Sequence, residues 1–256
     1  MLAFTGELSL SDDDLHHCGL GTGEAVAFYQ ELRMTCGTFS ISLIWNELLQ
    51  TGPYTLFFSL PYSTLFQSAI RTFYPMQTTL RLDPESGWMQ GIEHIASSNY
   101  NQRPSDEVSL LILHNISLPP GQFGTGMVDA LFTNQLPAEQ HPYFQEIKTL
   151  RVSAHFLIER DGKIKQYVSC HNRAWHAGIS SFHGRENCND YSIGIELEGT
   201  DWTPYTNEQY QQLRRLIKEI KKHFPLITDS RICGHSDVAP GRKTDPGPTF
   251  DWKRIR

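Results

Sequence analysis

The sequence predicts an α/β fold of the α+β kind, a mixed central β-sheet flanked by helices. Three observations point there. VSLLILHN, residues 108–115, is an apolar run of strand length suited to a buried central strand. LRVSAHFLIERDGKIKQYVS holds two strand-like runs about Asp161-Gly162, a hairpin signal that requires an antiparallel pair. YSIGIELEG alternates strictly and leads into the helical pattern TNEQYQQLRRLIKEIKKHF. Strands and helices interleaved in this way make a sheet with helices packed on it.

Taken along the chain, residues 1–75 stand apart. They contain Arg33 and Arg71 but no lysine, against 22 lysines and arginines in all. Beyond a short stretch about Ile41 to Leu49 they hold no sustained helical or alternating period. Lysine-free text with weak periodicity suits an exposed folded surface poorly. The expectation is therefore an N-terminal extension, poorly ordered or lying upstream of a later start at Met76, rather than a small accessory domain; residues 76–256 form the folded domain. His16-His17 with Cys18, and the GLGTGEA that follows, lack the preceding strand or spaced partner that a metal or phosphate site needs.

From Met76 onward the patterning is globular. The strand at 108–115 delivers His114 and Asn115 into the loop ISLPPGQFGTG. In YSIGIELEG, Ile193, Ile195 and Leu197 share one face, and Gly194, Glu196 and Glu198 the other. Thr206 and Gln209 have capping-box spacing, and Tyr210, Leu213, Leu216, Ile217, Ile220 and Phe224 then fall on one helical face. RIC, 231–233, reads as a last short strand entering GHSDVAPGRKTDPGP, residues 234–248. The three prolines and three glycines there predict a rigid loop, neither helix nor strand.

Composition excludes several classes. With 39% hydrophobic and 20% charged residues, the chain is an ordinary globular sequence. A net charge of -6 gives no electrostatic footprint for nucleic acid. No stretch has the apolar length of a membrane span, the longest weakly polar one, TGPYTLFFSLPYSTLF, being cut by two prolines. The start, MLAFTGELSLSDDDLHH, has an acidic run where a secretory signal would be basic and then apolar. Cysteines 18, 36, 170, 188 and 233 are odd in number and form no C-x-x-C pair, which reads as reduced thiols in a cytoplasmic protein.

The chemistry-bearing residues collect at a strand end and in the terminal loop. A catalytic zinc takes three protein ligands and keeps its fourth position open. His114, His235 and Asp245 meet that requirement if the strand end lies beside the loop. Each has a plainer reading: a core histidine for His114, a turn residue before proline for Asp245, and for the neighbouring Lys243 a solvated side chain. Glu196 shifts the balance. It sits in mid-strand between Ile195 and Leu197, where a carboxylate is shielded and costly to leave unpaired. Desolvation raises such a carboxyl toward neutral pH, which suits a general base beside a metal. Glu198, nearer the strand end, reads as a solvated edge residue; Cys188 and Cys233 have no evident base and are not read as nucleophiles.

The runs LHNISLPPGQFG, DALFTNQLPAEQHPYFQEIKTLRVSAHFLIERDG, RAWHAGISSFHGRENCNDYSIGIELEGTD and GHSDVAPGRKTDPGPTFDW resemble the zinc-dependent N-acetylmuramoyl-L-alanine amidases, and within them the cytoplasmic AmpD-type branch. The resemblance runs from about residue 83 to the end, with no counterpart for the first 75 residues. It implies the peptidoglycan-recognition type of sheet and one Zn2+ ion on His114, His235 and Asp245. It also implies Glu196 as general base and Lys243 as the cation for the oxyanion. The implied reaction is hydrolysis of the lactyl–L-Ala amide of anhydro-muropeptides in cytoplasmic peptidoglycan recycling, with an indirect effect on β-lactamase induction where a cell has that circuit. The implied partner is this small-molecule substrate, with no nucleic acid or membrane and a monomer as the expected state.

Such a substrate bears carboxylates, for which Arg151 is the candidate clamp, a surface arginine at a strand entrance being the alternative. Asn115 is placed to hydrogen-bond peptide or sugar, or to serve a local turn; His176 and Trp175 are candidates to line the sugar pocket, Trp175 with a core role as its alternative. His155 reads as structural or as a partner behind a ligand. Two other classes fit the same ligands: a non-catalytic peptidoglycan receptor, and another zinc hydrolase such as a peptidase or deacetylase. The complete set of five residues speaks against the first, and the long family runs against the second.

Overall fold

The structure, a computed structural model, describes residues 28–36, 39–47 and 79–255. The chain divides into two units, Met1–Tyr74 and Pro75–Arg256. In the first, Phe28–Cys36 pairs antiparallel with Phe39–Glu47. His16, His17, Cys18, the GLGTGEA stretch and Met76 lie outside the described residues.

The second unit is built on a six-stranded sheet. Its strands in chain order are β1 (Glu93–His94), β2 (Leu110–Ile116), β3 (Phe156–Ile158), β4 (Ile164–Gln166), β5 (Ser192–Glu198) and β6 (Ile232–Gly234). Across the sheet the order is β6-β2-β5-β3-β4-β1. β6, β2, β5 and β3 run parallel, β4 is antiparallel to β3, and β1 is parallel to β4. The expected mixed sheet is present, with the apolar run at 108–115 as an interior strand. The β3–β4 hairpin turns at Gly162, whose φ of +86 favours glycine and where an added Cβ would stand only 3.0 Å from the Cβ of Glu208.

Four helices pack on the sheet: α1 (Met127–Phe132), α2 (Pro142–Ile147), α3 (Asn207–His223) and α4 (His235–Val238). Strand parity sorts their cores. Ile193, Ile195 and Leu197 of β5, with Leu111 and Leu113 of β2, meet the stripe Tyr210, Leu213, Leu216, Ile217 and Ile220 of α3. Leu110 and Ile112 point to the other face, with Cys188, Tyr191, Cys233 and Val238. A third cluster joins α1 and α2, through Leu131, Phe132, Phe144 and Ile147, to Leu157 of β3. Each large apolar side chain so buried contributes about 1.5–3 kcal/mol before chain entropy is set against it. Among the described residues no helix is long and apolar enough to cross a membrane.

Two expectations need correction. The terminal segment is not free of helix: α4 takes its first four residues after Gly234, because the first proline comes only at Pro240 and the Asp237 carboxylate accepts from the Gly234 N–H at 2.7 Å. Glu198 is not a solvated edge residue but 5% exposed. Its strand is interior, and the loop after β2 covers its end: Glu198 accepts from Gly124 N–H at 2.5 Å and from Arg160 N–H at 3.3 Å.

The capping box of α3 forms as its spacing predicts. Thr206 Oγ1 accepts from Gln209 N at 3.0 Å, and Gln209 Oε1 accepts from Thr206 N at 3.1 Å. It also ties the helix to the sheet, since the Thr206 hydroxyl donates to Arg160 O and Gln209 Nε2 donates to Glu198 O. Thr206→Ala is expected to lower stability by about 1–2 kcal/mol in urea denaturation, with Thr206→Ser close to the parent.

Candidate metal centre

Register and parity bring the site together. In the β5–β2 ladder Glu196 lies directly opposite His114, and both belong to the face turned away from α3. In the β6–β2 ladder Gly234 lies opposite Leu113, so His235, the first residue of α4, comes level with His114. The proline-stiffened segment then turns back, Ser236 N–H donating to Asp245 O at 2.9 Å, and returns Asp245 to the two histidines.

His114 Nδ1, His235 Nδ1 and Asp245 Oδ2 form a triangle with sides of 3.0, 3.0 and 3.1 Å. Both histidines are buried and the Asp245 side chain is 13% exposed. The back of the His235 ring fixes its tautomer. His235 Nε2 lies 3.0 Å from Ala177 O, a pure acceptor, so this nitrogen carries the proton and Nδ1 is bare. His114 Nε2 lies 3.0 Å from His176 Nδ1, and donation there leaves its Nδ1 bare too. Burial pushes the His114 imidazole down to about 4, so it is neutral at ordinary pH. Asp245, as a carboxylic acid, is ionised at neutral pH. With His114 donating to His176, three lone pairs converge without a proton among them.

That donor set fits a divalent cation. A tetrahedral ion with bonds of about 2.0–2.1 Å holds its donors roughly 3.3–3.4 Å apart, close to the triangle observed. Two neutral imidazoles and one carboxylate are also the ligand types that zinc takes at catalytic sites. The side chains of His114, His235 and Asp245 would hold it.

The triangle opens into a cavity of about 520 Å³ that Glu196 and Lys243 also line. Glu196 Oε2 is buried with no hydrogen-bond partner among the described residues. Burial first, and then the charge of Asp245, raise the Glu196 carboxyl well above its usual range, with Lys243 opposing. The structure therefore brings His114, His235, Asp245, Glu196 and Lys243 to one cavity.

The four residues expected to bind substrate fare differently. Trp175 stands half-buried on the cavity wall, its indole N–H donating to Asn101 Oδ1 at 2.7 Å. Asn115 lines the cavity with its amide engaged by Asp201 at 2.9 Å. His176 also lines it, but its Nδ1 faces His114 and its Nε2 lies 3.3 Å from Ser192 Oγ. Arg151 is not brought to the cavity: it is exposed, and its guanidinium donates to Lys148 O at 3.3 Å and Leu150 O at 3.2 Å. Sequence reasoning missed the walls, which come from α1, α2 and the 200–202 turn: Leu131, Phe132, Tyr143 and the 78% exposed Trp202. No local spacing announces residues that only long-range packing assembles.

Comparison with known proteins follows the same lines. A family model described as N-acetylmuramoyl-L-alanine amidase matches residues 102–248. The 1,6-anhydro-N-acetylmuramyl-L-alanine amidase AmpD of Escherichia coli (strain K12) is 56% identical over 173 residues, which are 67% of this chain and 94% of that one. AmpD of Salmonella typhimurium (strain SL1344) is 55% identical over 174 residues, 68% of this chain and 92% of its own. A crystal structure of a Se-Met AmpD derivative superposes with a TM-score of 0.66 at 55% identity, covering 68% of this chain and 97% of that one. Its mixed sheet with helices is the architecture described above.

The unpartnered Glu196 has a measurable signature. Its native pKa is raised above the usual 4.5, so the native state holds the proton more tightly and stability is lost as pH rises past that value. Glu196→Gln is therefore expected to stabilise the metal-free protein at pH 7.5, on the order of 1–3 kcal/mol, and to have little effect at pH 4. Urea denaturation of both proteins in excess chelator at the two pH values checks it, and a pH-independent difference would contradict it.

Proposed function

The chain belongs to the N-acetylmuramoyl-L-alanine amidase family, and from that premise we propose a zinc-dependent enzyme specific for 1,6-anhydro-muropeptides. It hydrolyses the amide between the lactyl group of anhydro-N-acetylmuramic acid and the L-alanine of the stem peptide, in peptidoglycan recycling. Membership makes it an amidase; the names of its relatives supply the anhydro sugar. One observation carries the mechanism: two imidazole nitrogens and a carboxylate oxygen within 3.1 Å of each other, beside a buried Glu196 Oε2 without a partner among the described residues.

His114, His235 and Asp245 would hold the zinc. Bound there, zinc supplies Lewis acidity toward the amide carbonyl and makes water a nucleophile near neutral pH. Glu196, kept basic enough by burial, takes a proton from the attacking water. The same carboxyl then gives that proton to the departing alanine nitrogen. Lys243 lines the cavity and places a positive charge where the carbonyl oxygen becomes an oxyanion. The apolar wall of Leu131, Phe132 and Tyr143 limits the water around these charges and so strengthens their interactions.

The reaction is proposed to take place in the cytoplasm, in keeping with the three buried free thiols Cys170, Cys188 and Cys233. In a cell where uncut anhydro-muropeptides induce β-lactamase, loss of the enzyme would raise that expression. The amidase domain is proposed to be residues 76–256, with 1–75 an extension the reaction does not use. Removal of residues 1–75 is then expected to leave kcat/KM for anhydro-muropeptide unchanged in a steady-state assay.

Glu196→Ala is expected to keep zinc and lose turnover, while His114→Ala loses both; metal analysis of the two purified variants checks the roles, and equal zinc loss would contradict them. Lys243→Ala is expected to lower kcat on the order of a hundredfold or more. Mass spectrometry of an anhydro-muropeptide digest tests the bond itself. An amidase frees the intact stem peptide, a peptidase shortens it, and a receptor leaves it attached.

A further inference from the structure

We propose that the dipeptide His176-Ala177 is the positioning element of the metal centre, its His176 side chain orienting His114 and its Ala177 carbonyl orienting His235. This rests on the reading of those two histidines as metal ligands. The sequence suggested a place for His176 among sugar contacts; the structure commits both of its ring nitrogens elsewhere.

The proton positions follow from one end of the chain of bonds to the other. His235 donates from Nε2 to the Ala177 carbonyl at 3.0 Å, a bond with one possible direction. His114 Nε2 faces not a carbonyl but His176 Nδ1, at 3.0 Å, among the described residues. Two neutral imidazoles facing each other share one proton. Were it on His176 Nδ1, the proton of His114 would sit on its own Nδ1, inside the triangle, and exclude a cation. With the proton on His114 Nε2, His176 accepts at Nδ1 and carries its own proton on Nε2, within 3.3 Å of the Ser192 hydroxyl oxygen. Only this arrangement leaves all three ligand atoms bare.

The dipeptide is itself anchored. Asn189 Oδ1 accepts from His176 N–H at 3.2 Å and from Ala177 N–H at 2.8 Å. The main chain around Asn189 is fixed in turn by Arg103, which donates to the carbonyls of Asn189, Asp190 and Ser192 at 3.1, 3.2 and 2.8 Å. The His176 ring lies over Gly194 of β5: a Cβ there would stand 2.5 Å from its Cγ and Nδ1. Glycine in the middle of a buried strand weakens it, and here the missing side chain is the space the ring occupies.

The test compares zinc affinities of full-length variants with the parent, by competition with a chromophoric chelator, so it is read whether or not the parent frees stem peptide. His176→Leu removes the acceptor and is expected to bind zinc about 10- to 100-fold more weakly, whereas His176→Asn, whose amide oxygen can replace Nδ1, stays within about threefold. Asn189→Ala, which frees the dipeptide without touching either ring, is expected to weaken zinc several-fold. Parent-like affinity in His176→Leu, or equal losses in His176→Leu and His176→Asn, would overturn the proposal. A readout that needs no variant is the side-chain 15N NMR spectrum of the zinc-loaded parent. With zinc added, His176 is expected to carry its proton on Nε2 and to be bare at Nδ1, and an Nδ1 proton on His176 in the zinc-loaded protein would sink the idea.

Discussion

Three lone pairs pressed together inside the protein, on two imidazoles and a carboxylate, are the arrangement around which the rest is organised. In the absence of a proton or cation such atoms repel, and nothing local in the chain would choose to gather them. They meet because a parallel ladder leaves no choice of neighbour. β6 ends opposite Leu113, so the residue after it, His235, comes level with His114, and the β5 register sets Glu196 beside the same histidine. A slip of one residue in β2 would send His114 into the apolar layer under α3 and put Leu113 in the site. The α3 stripe therefore does more than stabilise: by requiring Leu111 and Leu113 on its side, it decides where the histidine goes.

The cost of this arrangement is spread over buried polar groups that would be weak choices for stability alone. Glu196 Oε2 is buried without a partner among the described residues, and Arg103, pushed down to about 10 by desolvation, is held by main-chain carbonyls in place of a carboxylate. Lys165, with a side chain 7% exposed, bridges Asp129 of α1 and Glu159 at 2.8 Å each. Tyr167 adds its hydroxyl to Asp129 at 2.5 Å. Apolar replacements of similar volume often match or exceed buried ion pairs in stability. What these groups supply is direction: the Lys165 pair fixes α1, whose Leu131 and Phe132 form a cavity wall, and Glu198 holds the loop after β2 over the end of β5.

Much of this was legible in the sequence, for reasons of range. The strands at 108–115 and 191–199 announce themselves by apolar run and by alternation, and the capping box and stripe of α3 lie within one helix. The parity of Glu196 is equally local. What could not be read is which strand lies next to which, so the meeting of His114 with the terminal segment rested on ligand chemistry and family resemblance. The helical turn at His235–Val238 was hidden by prolines that begin only at Pro240. The burial of Glu198 depends on a loop from elsewhere in the chain, and the exposure of Arg151 on the end of α2 turning its guanidinium back to Lys148 O and Leu150 O. Gly194 was a signal present but unused. A glycine in mid-strand, two residues before a buried carboxylate, asks what approaches it so closely.

β5 shows how far a single strand can divide its labour. A strand buried on both faces of a parallel sheet ordinarily reads as continuous Val, Ile and Leu. Here only the alternate residues Ile193, Ile195 and Leu197 follow that rule, and they face α3. On the other side each residue has separate work. Ser192 stands behind His176, and Gly194 makes room for its ring. Glu196 lines the cavity, and Glu198 pins the covering loop. The alternation that would mark a half-exposed strand in an antiparallel sheet thus has another cause in this one, since all seven residues are buried. Polarity on the second face has a cause other than contact with water, which is why the same nine letters, YSIGIELEG, locate both the core and the wall of the cavity.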